Sequence, residues 1–146
     1  MNRTVSISLL VLAFVVGFLI FYRQKPVPVQ EGPSAGTQQA LETKIDDQAN
    51  VTVVVTPLDL SPQSVEWKFD VGMNTHSVEL DQDMTKVAVL VDDQGKEYKP
   101  LAWTGPTGGH HREGTLTFTR ITPTPKSVAL KITGIAGVVR SFVWQP

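Results

Sequence analysis

Four apolar residues, Val65, Trp67, Phe69 and Val71, alternate with Glu66, Lys68 and Asp70. A period of two places one set of side chains on each face of an extended strand, and the helical period of 3.6 cannot do so. Around this stretch, from residue 51 onward, the chain repeats one pattern: short β-branched runs separated by turn residues. Residues 51–55 form such a run, ended by Pro57. Residues 75–80 read as a shorter strand and residues 81–83 as a turn. Residues 86–91 form a strand, and Asp92-Asp93-Gln94-Gly95 a hairpin turn in which Gly95 is free to take positive φ. Residues 97–103 run back, residues 115–119 follow a glycine-rich loop, and residues 127–133 and 138–144 close the set. Seven to nine strands at this spacing, with no convincing helix, predict an all-β, antiparallel, immunoglobulin-like β-sandwich. The Cys-Trp-Cys core pin of true immunoglobulin domains is missing, so that label is architectural only. Trp67, Phe69, Phe118, Phe142 and Trp144 fall at alternating positions and are expected in the core.

Ahead of the β region lies a segment of another kind. Residues 5–22 carry no charge and are mostly Val, Leu, Ile and Phe. As a helix rising about 1.5 Å per residue, this stretch is about 27 Å long, enough to cross a bilayer core. Arg3 precedes it, and Arg23 and Lys25 follow it. A cleaved signal peptide needs a small-x-small site close behind its apolar core, and none stands there. The segment therefore reads as a single transmembrane anchor behind a four-residue tail. The positive-inside rule is nearly balanced here; an N-terminus inside and a domain outside the cytoplasm is the orientation expected of a lone anchor before a β domain. Residues 23–49 read as a linker: Pro26-Val27-Pro28 is stiff, residues 31–40 are polar, and residues 41–47 read as a turn of helix. The domain then spans residues 50–146.

Composition narrows the chemistry. The net charge of −1 argues against nucleic acid, which demands a basic stripe. With no cysteine, disulfides, zinc–thiolate centres, blue-copper sites, a thiol nucleophile and a lipoprotein anchor are all excluded. No G-x-S-x-G is present, Ser77 beside His76 makes no dyad on a strand, and the glycine loop does not lead into a helix. The expectation is a protein that is not an enzyme.

The chemistry that remains gathers in residues 103–114, W-T-G-P-T-G-G-H-H-R-E-G, which hold two of the three histidines. On this loop, with Asn74-Thr75-His76 and Asp92-Asp93-Gln94-Gly95, the chain resembles an uncharacterised prokaryotic family of membrane-anchored or exported small β-sandwich proteins sharing a W-x-G-P-x-G-G-H-H-R-x-G loop. The resemblance implies fold and location only. Two functional readings follow from the residues themselves. In the first, Trp103, Gly108, Gly109, His110, His111 and Arg112 form a loop that meets an envelope protein or small ligand, the glycine amides and Arg112 offering a nest for an anion. In the second, His76, His110 and His111 hold copper or zinc, since imidazole suits both and the flanking glycines let the backbone fold around an ion. Met73 and Met84 are weaker soft-ligand candidates, and the pairs Asp81/Asp83 and Asp92/Asp93 are weak candidates for calcium. The plain alternative is architectural: Trp103 under the loop, glycines serving its turns, and Arg112 paired with Glu113 or a hairpin aspartate.

Overall fold

A computed structural model describes residues 41–146. The anchor at residues 5–22 and most of the linker lie outside the described residues. No helix among the described residues is long and apolar enough to cross a membrane.

Two antiparallel sheets face each other, nine strands among the described residues. The first sheet contains β1 (Lys44–Gln48), β2 (Val51–Asp59), β3 (Glu66–Thr75), β6 (Ala102–Thr104) and β7 (His111–Thr119), in the order β1-β2-β3-β7-β6. The second contains β4 (Ala88–Asp92), β5 (Glu97–Tyr98), β8 (Val128–Ile135) and β9 (Val138–Trp144), in the order β5-β4-β8-β9. A single helical turn, α1 (Met84–Val87), precedes β4, with the Asp83 carboxylate accepting from Thr85 N–H at its start.

The alternation of residues 65–71 organises this core. Trp67, Phe69 and Val71 of β3 are fully buried, and Phe69 packs edge-on against Phe118 of β7 at 5.7 Å. Phe69 also reaches across the sandwich to Trp144 of β9, 5.4 Å between centroids. The five expected core aromatics are all buried. Val65 is not: β3 begins at Glu66, and the turn closed by Ser64 N–H to Ser61 C=O leaves Val65 84% exposed.

Several boundaries differ from the expectation, each for a local reason. β2 does not stop at Pro57. It runs to Asp59, with Pro57 opposite Phe69 and a register shift just beyond, where a bulge absorbs the missing N–H. Residues 76–80 are not a strand. Thr75 ends β3, its hydroxyl bonding Asn50 C=O and accepting from Ser77 N–H, which turns the chain away. The expected strand at 86–91 starts as α1 and becomes β4 only at Ala88. The return at 97–103 is two strands in different sheets; Lys99-Pro100-Leu101 carries the chain across. The stretch read as a turn of helix at the end of the linker is β1, paired with β2 from Lys44↔Val55 to Gln48↔Val51.

Candidate functional site

Residues 103–114 are less of a loop than their glycines suggest. Trp103 and Thr104 belong to β6, and His111 to Gly114 to β7, so only residues 105–110 are irregular. β6 and β7 pair Trp103↔Leu116 and Thr104↔Thr115. At their exit the backbones nearly touch. A Cβ on Gly114 would lie 2.6 Å from Thr104 O, and one on Gly105 would lie 2.7 Å from Trp103 Cζ2 and 2.8 Å from Glu113 O. Only glycine fits either position.

β7 alternates His111 out, Arg112 in, Glu113 out. Arg112 therefore points beneath the loop, where it is only 2% exposed. Its Nε donates to Pro106 O at 2.6 Å, and Nη1 donates to Leu80 O at 3.1 Å and Gln82 O at 2.7 Å. The guanidinium lies 5.1 Å from the centre of the Trp103 ring, and Trp103 Nε1 donates to the same Pro106 carbonyl. Burial lowers the Arg112 pKa, and the Asp81 and Asp83 carboxylates oppose that shift. Arg112 is thus a clamp on three carbonyls. The expected partner, Glu113 or a hairpin aspartate, does not hold it, because inward-facing Arg112 meets main-chain oxygens there and Glu113 lies on the opposite face of the strand.

The glycine amides are likewise engaged. Gly108 and Gly109 both take positive φ, 88° and 94°. Gly108 N–H bonds Leu80 C=O, and Gly109 N–H donates to Glu79 Oε1 at 2.6 Å. The second oxygen of Glu79 lies 3.9 Å from His110 Nε2. The anion at this glycine turn is the chain's own carboxylate. Glu79 gave no signal in the sequence, since it stands thirty residues from its partner.

The three histidines divide. His110 is exposed and turned towards Glu79, while His76 and His111 approach each other, ring centroids 6.0 Å apart and planes at 79°. His111 Nδ1 is 2.7 Å from Asn74 Oδ1. An amide oxygen only accepts, so this contact keeps the proton on Nδ1 and leaves the Nε2 lone pair free. Strand register explains the neighbourhood. Asp47, Thr52, Asn74 and His111 are successive partners across β1, β2, β3 and β7 and form one outward-facing row. Thr52 Oγ1 donates to Asp47 at 3.1 Å. An open cleft of about 300 Å³ beside this row is lined by Asp47, Thr52, Asn74, His76 and Ser77, among others. Neither Asn74 nor Asp47 carries a site signal in the sequence, because cross-strand register is not readable from spacing.

No three His, Asp or Glu side chains gather around one point among the described residues. Met73 and Met84 are buried in the core. Asp83 is engaged in capping α1, and Asp92 accepts from the amides of Gln94 and Lys96, both at 2.9 Å, and from the Tyr98 hydroxyl. These aspartates serve turns. Ser77 donates its amide to Thr75 Oγ1.

No family model matches the chain, so the resemblance drawn from the loop string finds no counterpart there. None of the curated proteins matches. Among solved structures, the chain is similar to MPT63, a secreted protein from Mycobacterium tuberculosis. The two are 16% identical, the alignment covers 73% of this chain and 92% of the other, and the TM-score is 0.40.

Proposed function

We propose that the chain is a non-enzymatic binding module of immunoglobulin-like architecture, anchored in the membrane by residues 5–22 with its β-sandwich outside the cytoplasm. It meets an envelope protein or small ligand through the exposed edge of residues 104–111. One observation carries the choice of this edge. Arg112, buried beneath the loop, ties Pro106 to Leu80 and Gln82, so Thr107, His110 and their neighbours are presented on a fixed backbone. A surface ordered in advance loses less conformational entropy on binding. The partner contacts fall to exposed Thr107, His110 and His111, while Trp103, Gly108, Gly109 and Arg112 hold the shape.

The test is site-specific photo-crosslinking of the full chain in intact cells. A photoreactive residue at Thr107 should give a discrete adduct. The same group at Lys126, on the chain's excursion between β7 and β8, should give none. Equal labelling from both positions, or none from Thr107, refutes the assignment of this edge.

A further inference from the structure

We propose that His76 and His111 form a surface site for a late first-row divalent ion, copper(II) above all, that Asn74 is its positioning residue, and that His110 lies outside it. The proposal goes beyond the loop reading and shares only His111 with it.

A metal–nitrogen bond of about 2.0 Å, added to the radius of an imidazole ring, puts two co-ligating ring centroids about 4.5 Å apart at a right angle and about 6.3 Å apart when opposed. The observed 6.0 Å falls inside that interval. Metal-ligating imidazoles usually give their other nitrogen to a carbonyl or carboxylate that fixes ring and tautomer. Asn74 Oδ1 does this for His111 and leaves Nε2 as the donor. The His76 ring makes no hydrogen bond among the described residues, so neither of its nitrogens is committed to them. Both rings are exposed, so ligation expels little and the remaining coordination positions fall to water. Two neutral nitrogen donors without a third protein ligand make a site of moderate strength, and the order of divalent affinities then places copper(II) first. His110 is turned to Glu79 and contributes nothing to the pair.

The full chain, purified in detergent and titrated with copper(II) at neutral pH against glycine as competitor, tests this directly. Wild type should bind one equivalent, with an electron paramagnetic resonance spectrum showing two imidazole nitrogens. His76→Ala and His111→Ala should each lower the affinity about tenfold or more and leave one nitrogen in the spectrum. Asn74→Ala should weaken binding roughly tenfold while keeping both nitrogens, as loss of an orienting partner does. His110→Ala should bind like wild type. Affinity unchanged in the His76→Ala/His111→Ala double variant, or lost in His110→Ala, overturns the assignment. These side chains are exposed, so thermal melting should show every variant folded. The crosslink from Thr107 is read independently, and either proposal can fail without the other.

Discussion

Arg112 shows how one residue can decide whether a glycine-rich segment is a loop or a platform. Removing a guanidinium from water is costly, and in this sandwich the cost is offset by three main-chain carbonyls and by the potential of Asp81 and Asp83. Truncation takes a charged donor from each of them and leaves Gln82 O without that partner, while Pro106 O keeps Trp103 Nε1 and Leu80 O keeps Gly108 N–H. Arg112→Ala should therefore lower stability by about 1.5–3 kcal/mol in urea unfolding. Arg112→Lys should recover little of it, because one ammonium cannot reproduce a fork that spans Pro106 and Gln82. A loss below about 1 kcal/mol for the alanine variant, the size of an ordinary exposed change, would mean the clamp is incidental. Gly114 makes the complementary case through shape alone. With Thr104 O at 2.6 Å from the position of an added Cβ, Gly114→Ala must push β6 off β7, at a cost of about 1–3 kcal/mol. His110→Ala, exposed and outside both arrangements, should change stability by no more than about 0.5 kcal/mol.

Among the elements, β1 depends most on distant residues. Its sequence, Lys44-Ile45-Asp46-Asp47-Gln48, has no apolar alternation to bury. What holds it, besides pairing with β2, comes from β9 in the other sheet. The fully buried Arg140 donates to Gln48 O and Val51 O and pairs with Asp46 at 3.0 Å, and Trp144 Nε1 donates to Glu42 O. The link between β1 and β2 carries a strain that can be relieved. Ala49 and Asn50 both take positive φ, 51° and 60°, the signature of a two-residue type I′ hairpin, where alanine is poorly suited and asparagine is favoured. Ala49→Asn should raise stability by about 0.5–1 kcal/mol, read as a higher urea midpoint with an unchanged slope. A fall in the midpoint would show that the Ala49 conformation is not the limiting feature of the turn. This element also marks where sequence reasoning stops. The buried faces of β3, β8 and β9 were legible because their apolar residues repeat every second position. β1 was not, since the arginine that secures it is more than ninety residues away. The candidate site divides the same way. Residues 103–114 and His76 stood out by composition, but the inward turn of Arg112, the capture of Gly109 by Glu79 and the row from Asp47 to His111 depend on strand register, which no local pattern encodes.

For the molecule as a whole, the acid limb of stability should be governed by carboxylates that accept backbone and hydroxyl hydrogens at turns. Asp59, where β2 leaves the sheet, accepts from the Ser64 hydroxyl and from Ser61 N–H, and these bonds hold its pKa below the usual value. Asp83 at the start of α1 is lowered by the Thr85 hydroxyl first, then by Lys86 and the Thr85 amide. A carboxylate whose folded pKa is depressed stabilises the fold at every pH above its unfolded value, about 3.9. That contribution disappears as pH falls through the lower, folded value, because both states are then protonated. Both groups are largely accessible to water, so each contributes modestly and screening trims it further. In Asp59→Asn/Asp83→Asn the amide oxygens can still accept, but without the charge-assisted strength of a carboxylate. The double variant should therefore be less stable than wild type at neutral pH by an amount that stays constant down to about pH 5 and shrinks below about pH 4. Urea unfolding of both proteins across that range reads the difference directly. A gap that persists undiminished below both pKa values would assign the loss to geometry at the two turns, and the acid sensitivity of the sandwich would then have to come from other groups.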